Sequence, residues 1–77
     1  MSVHVKYFAS LREAIGRSHD DIPFTTTVTV TEVWMHATQN MQQPDRLLVA
    51  VNQEYASFDK EVCDGDEVAF FPPVTGG

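Results

Sequence analysis

An α+β fold follows from three features of the 77-residue sequence, with one mixed sheet of about five strands packed on one long helix and a short extra helix after the first strand. The N-terminal stretch alternates with the period of a strand. A central stretch carries a helical stripe behind a capping box. Two apolar runs towards the C-terminus end at turn residues. A chain of this length forms one domain that buries about 60% of the surface its unfolded form exposes, so its core is modest. There is little room for an enclosed active-site pocket, which moves any chemistry to the surface, to a terminus or to a site shared with a partner.

In SVHVKYF (Ser2 to Phe8), Val3, Val5 and Tyr7 fall on one face and His4 and Lys6 on the other, the pattern of a half-buried strand. The period then changes in ASLREAIG. Leu11, Ala14 and Ile15 sit at i, i+3 and i+4, and Gly16 is placed to stop a short helix as its left-handed C′ residue. A second extended stretch runs from about Asp20 to Thr27, and Pro23 restricts it to an edge or irregular strand.

In VTVTEVW, Thr29 is an N-cap and Glu32, three residues on, completes a capping box, with Val28 able to staple onto Val33. Val30, Val33, Trp34, Ala37 and Met41 then form one apolar stripe, which predicts a helix from about Val30 to Gln42, ended by QQPD. LLVAVNQ (Leu47 to Gln53) reads as a strand buried on both faces, with EYASF as its short hairpin partner. CDGDEVAFF gives a tight turn at Asp64-Gly65 and a last strand from Glu67 to Phe71, with Val68 and Phe70 on one face.

The order is β-α-β-α-β-β-β, without linker, repeat or low-complexity segment. The Trp34 stripe faces Val5, Val49, Val51, Val68 and Phe70. This arrangement is β-grasp-like: the last strand lies beside the first and delivers the C-terminus to one edge. Residues 1–71 make the domain and residues 72–77 an extended tail.

Five Lys and Arg stand against eleven Asp and Glu, and six of the acids (Glu54, Asp59, Glu61, Asp64, Asp66, Glu67) crowd into one short segment. Nucleic acid and anionic membranes favour a basic face, so neither is an expected partner. The acidic segment is a solvated surface or, more sharply, a surface that steers a basic protein. Cys63 is the only cysteine, which excludes an intramolecular disulfide and a CxxC metal knuckle. No apolar run approaches a membrane span, and the chain reads as cytoplasmic.

His4, His19 and His36 lie on three different elements, and Asp64, Asp66 and Glu67 lack calcium-loop spacing, so no metal site is expected. Ser57 and Asp59 have no suitable histidine for a hydrolytic triad, and there is no glycine-rich phosphate loop.

The chain closes with FFPPVTGG. Pro72 and Pro73 fix φ at both positions and favour an extended arm, and six residues from Pro72 reach on the order of 20 Å. Gly76 and Gly77 have no Cβ, so the backbone can pass through a narrow channel. A glycine carboxylate is inert until it is coupled to an adenylate. The mixed anhydride is then open to attack by sulfur or an amine, with the least steric obstruction of any residue.

GDEVAFFPPVTGG (Gly65 to Gly77) resembles the C-terminus of the MoaD group of the ubiquitin-like MoaD/ThiS sulfur carriers, the small subunits of molybdopterin synthase. VKYFASLREAIG and VAVNQ resemble the same group, so the likeness spans essentially the whole chain. It implies a β-grasp domain whose Gly77 is adenylated with ATP by a ubiquitin-activating-type enzyme and converted to a thiocarboxylate with the help of a sulfur-donating enzyme. The tail then enters the large synthase subunit and gives sulfur to cyclic pyranopterin monophosphate, within a heterotetramer of two small and two large subunits.

On that account the chain itself binds no cofactor, and the pterin-site catalytic residues belong to the large subunit. Gly77 carries the sulfur and Gly76 permits threading. Pro72, Pro73, Val74 and Thr75 form the rest of the arm. Phe71 is an apolar anchor for the partner, and Arg12 pairs with a partner carboxylate. Tyr55 stands where relatives more often have an aliphatic residue, at the edge of the same patch. The alternatives are a sulfur carrier for thiazole or thiolated tRNA synthesis, and a ubiquitin-like modifier or interaction domain.

Overall fold

The computed structural model describes residues 2–73. In chain order the elements are β1 (Ser2–Tyr7), α1 (Ser10–Ile15), β2 (His19–Pro23), β3 (Val28–Thr29), α2 (Val30–Thr38), β4 (Leu48–Val51), β5 (Glu54–Tyr55), β6 (Glu61–Val62) and β7 (Glu67–Phe71). Five strands form one sheet in the order β2-β1-β7-β4-β5, and β3 pairs with β6 in a second, two-stranded sheet. The central pair, β1 and β7, is parallel, with Val5 opposite Val68 and Tyr7 opposite Phe70. Every other pair is antiparallel. The mixed sheet packed on one helix, with the last strand beside the first, is the β-grasp arrangement. Pro23 does end an edge strand, where its missing N–H costs no ladder bond.

Alternation along the strands decides where the core lies. Val3, Val5, Tyr7, Val49, Val51, Val68 and Phe70 turn to one side of the sheet, and Val30, Val33, Trp34 and Ala37 of α2 close on them, all buried. Trp34 meets Phe70 edge-on, with ring centroids 5.0 Å apart. The helix starts as its sequence dictates. The Thr29 hydroxyl accepts from the Glu32 N–H at 3.2 Å, and the Glu32 carboxylate accepts from the Thr29 N–H at 3.0 Å. Gly16, at φ 89°, ends α1 in the left-handed conformation.

Three expectations need correction. The central helix ends at Thr38 and not near Gln42. Gln39 and Asn40 take positive φ, and both of their N–H groups donate to the Met35 carbonyl. Met41 therefore leaves the stripe, and its carbonyl instead accepts the Trp34 indole N–H at 2.7 Å. The stretch expected from Asp20 to Thr27 is a strand only over His19–Pro23, and the chain pairs again at Val28–Thr29 with Glu61–Val62. Lastly, β4 is not buried on both faces: Val49 and Val51 are buried while Leu48 and Ala50 are half-exposed, because none of the described elements covers that side of the sheet.

Two polar networks pin the sheet's ends. The Tyr7 hydroxyl donates to the Asp20 carboxylate at 2.9 Å. Arg17 pairs with the same carboxylate, lies over the Tyr7 ring and donates to the Ala37 carbonyl at 2.7 Å, tying β1, β2 and α2 together. Burial, with Asp20 adding to it, pushes the Tyr7 phenol pKa well up. At the other end Asn52 exchanges hydrogen bonds with the Glu67 backbone and donates to Asp66. Asp66 also accepts the Cys63 N–H at 2.8 Å. Those donors, Cys63 foremost, hold the Asp66 carboxyl below its ordinary range.

Candidate functional site

The root of the C-terminal tail is built from two neighbouring residues that point in opposite directions. Phe70 is fully buried among three aromatic rings: Trp34 at 5.0 Å, and Tyr7 and Phe58, both stacked at 6.4 Å. Its carbonyl accepts the Phe8 N–H at 3.2 Å, so the end of β7 is fixed through its side chain and its backbone together. One residue on, Phe71 turns to the other face and is only half-buried. Pro72 and Pro73 follow, also half-buried, and carry the chain away from the last ladder pair, Leu48 with Phe71.

The face that α2 leaves uncovered divides into two halves. Cross-strand pairing puts Leu48 beside Phe71, and Ala50 between Ala69 and Tyr55. Residues opposite one another in a ladder share a face, so these five side chains form one apolar patch at the tail root. Tyr55, 78% exposed, leans on Phe71 with ring centroids 5.8 Å apart. On the β1–β2 side the same face is charged. His4 pairs with Asp21, and Lys6 lies 3.5 Å from Glu67. These polar groups are largely exposed and paired with one another, whereas the apolar half has water for a neighbour and gains from being covered.

Among the described residues, no group of three or more His, Cys, Asp or Glu side chains is arranged to hold a metal ion. No described helix is long and apolar enough to cross a membrane. What the geometry offers is a firmly anchored end of β7 beside an exposed apolar patch.

Known proteins resemble this chain in sequence and in fold over nearly its whole length. Residues 5–77 match the ThiS family. The chain belongs to the ThiS family. Within it, the sequence is 41% identical over 80 residues to the molybdopterin synthase sulfur carrier subunit of Escherichia coli K12, covering 97% of this chain and 99% of that one. The fold superposes on SAMP1 from Haloferax volcanii with a TM-score of 0.81 at 28% identity, each chain covered in full. It also shares its fold with a chain from the complex of subunits 1 and 2 of the molybdopterin-converting factor of Helicobacter pylori, at a TM-score of 0.66 and 21% identity. These neighbours carry the ubiquitin-like β-grasp fold that the element order implies.

Against this ThiS-family frame the expected site residues divide into three groups. Phe71, Pro72, Pro73 and Tyr55 come together at the tail root, and Tyr55 touches Phe71 directly. Arg12 stands exposed on α1, which packs against β7. Among the described residues no carboxylate lies within ion-pairing distance of it, so its charge is available. Val74, Thr75, Gly76 and Gly77 lie outside the described residues.

Sequence reasoning missed Phe8. It is 48% exposed and joined through its N–H to Phe70 at the base of the tail. The signal was present: Val3, Val5 and Tyr7 set the buried phase of β1, which leaves Phe8 as an aromatic on the outward phase. The apolar character of Leu48 and Ala50 belongs to the same open face and not to burial under a second layer, which the described residues do not form.

Proposed function

We propose that this chain is the sulfur-carrier subunit of a molybdopterin synthase. The observation that carries the reading is full-length identity of 41% to a protein of that role. It is joined here to a tail rooted on a buried aromatic cluster beside an exposed apolar patch. The rooted geometry suits a swinging arm. An arm that leaves a rigid base through two prolines loses little entropy on entering a partner's cleft.

In this reading a ubiquitin-activating-type enzyme uses ATP to adenylate the Gly77 carboxylate, with pyrophosphate as leaving group. Sulfide-level sulfur released by a donor then attacks the acyl-adenylate carbonyl, AMP departs with the bonding electron pair, and a thiocarboxylate remains. The loaded chain docks its apolar face, with Phe71 and Tyr55 at the centre and Arg12 and Phe8 flanking, on the large synthase subunit. Residues 72–77 reach the pterin site, where sulfur passes to cyclic pyranopterin monophosphate and water restores the carboxylate. Two such transfers build the dithiolene, within a heterotetramer of two small and two large subunits. This chain binds no cofactor of its own, and the residues that handle pterin protons belong to the large subunit. The cytoplasm supplies both ATP and a reducing environment for the thiocarboxylate.

The test is reconstitution. The thiocarboxylated chain, the large subunit of its host and cyclic pyranopterin monophosphate should together yield molybdopterin in single turnover. Transfer of the sulfur to a thiazole precursor or to tRNA instead, with none to the pterin, would overturn the assignment.

A further inference from the structure

The chain enters α1 through a turn that strains an L-residue. Phe8, Ala9, Ser10 and Leu11 form a reversal closed by the Leu11 N–H donating to the Phe8 carbonyl at 3.1 Å, and Ala9 lies at φ 54°, ψ −130°. Those angles belong to the first central position of a type II′ turn, which glycine normally fills. They are also the mirror image of the polyproline region. An L-residue's Cβ therefore collides at this point, whereas a D-residue's would not. Gln39, at φ 57°, ψ 50°, is a different case, since it occupies the small left-handed helical basin that L-residues do visit.

The strain at Ala9 is held from both sides. Tyr7 before it and Leu11 after it are buried, the Phe8 N–H is bonded to Phe70, and the Ala9 carbonyl accepts the Arg12 N–H at 3.1 Å. Between these anchors the one large side chain left outside is Phe8, at the root of the tail. Glycine would make the same reversal without strain but with a broad choice of backbone angles. Strain of this kind persists where the surroundings over-determine it, and it is found where a group must be presented in one orientation.

We propose that Ala9 is a positioning residue: its Cβ narrows the turn so that Phe8 is held out, pre-oriented, for the partner that docks at the tail root. The inference rests on the docking reading above and adds to it a residue that acts through the Phe8 side chain. Pre-orientation raises affinity by lowering the ordering cost of binding.

The test compares three forms of the full chain by calorimetric titration with the large subunit: wild type, Ala9→Gly, and a chemically synthesised chain with D-alanine at position 9. D-Alanine keeps the stiffness and removes the strain, while glycine removes both. Expected are an affinity for the D-alanine form at least equal to wild type with a higher melting temperature, and a roughly 5- to 10-fold weaker affinity for Ala9→Gly at a melting temperature near wild type. In a Phe8→Ala background the glycine substitution should change affinity no further, because its effect runs through that side chain. Equal affinities for all three forms, or an undiminished glycine effect without Phe8, would overturn the proposal and leave the docking reading intact. A wild-type chain that fails to bind the large subunit would sink both.

Discussion

Phe70 and Phe71 share a strand, a side-chain type and a place at the root of the tail, yet their surroundings divide the work of the molecule between them. Phe70 lies inside a cluster with Trp34, Tyr7 and Phe58, where its ring anchors β7 to the helix layer. Phe71 faces the uncovered side and meets only Tyr55 among the described aromatic rings. The pleat makes the difference, since successive side chains leave a strand on opposite faces and only one face has a helix on it. Buried contacts are concentrated on one side of the sheet, and the proposed function puts recognition on the other, so the account expects each to be altered with little effect on its neighbour.

The largest effect should come from the tail alone. Replacing Gly76 by tryptophan, or deleting Gly77, is expected to abolish sulfur transfer in the reconstituted synthase while denaturant unfolding stays within about 0.5 kcal/mol of wild type. A large stability loss would mean that the tail packs on the body.

Next comes Phe70→Ala, which empties the aromatic cluster and should cost about 3–5 kcal/mol in urea unfolding, enough to leave a domain of this size barely folded. Phe71→Ala should do the reverse. Its stability cost is expected to stay below about 1 kcal/mol, while the affinity for the large subunit falls by about 2 kcal/mol, roughly 30-fold, when measured by titration. Equal stability costs for the two phenylalanines would break the division between the faces.

Smaller effects should appear in the dependence of stability on pH. The Tyr7 phenol has its pKa raised in the fold, so its contribution is fully present below the unfolded value of 10.0 and is lost as pH rises beyond it. Tyr7→Phe should flatten the alkaline limb of a melting-temperature profile. Asp66 works in the opposite sense. Its pKa is lowered, so its contribution is present above the ordinary value of 3.8 and fades as pH falls through that region. Asp66→Asn should flatten the acid limb, modestly, because the group is partly exposed.

Much of this could be read from the sequence, wherever a local chemical device fixes the local structure. The Thr29–Glu32 capping box, the Gly16 stop, the Asp64-Gly65 turn and the bounds of the last strand all appear where their residues place them. The misses are positions where no distinctive residue type or period announces the structure. The helix stops at Thr38 because the chain turns at Gln39 and Asn40 and sends the Met41 carbonyl back to the Trp34 indole, without any Gly or Pro to announce it. Two-residue strands such as β3 and β6 are too short to show a period. The apolar run at Leu47 to Val51 has the same composition whether its second face meets a layer of this chain or is left open, as it is among the described residues. Ala9 carries no signal at all, because strain is a property of backbone angles and not of residue type.

The measurement that bears most directly on the central claim is the intact mass of the chain after incubation with its host's adenylating enzyme, ATP and a sulfur donor. The account predicts a mass increase equal to one oxygen exchanged for one sulfur, confined on fragmentation to the C-terminal peptide that ends in Gly77. An unchanged mass in the presence of a demonstrably active adenylating enzyme, or the chain recovered joined to lysine side chains, would contradict it.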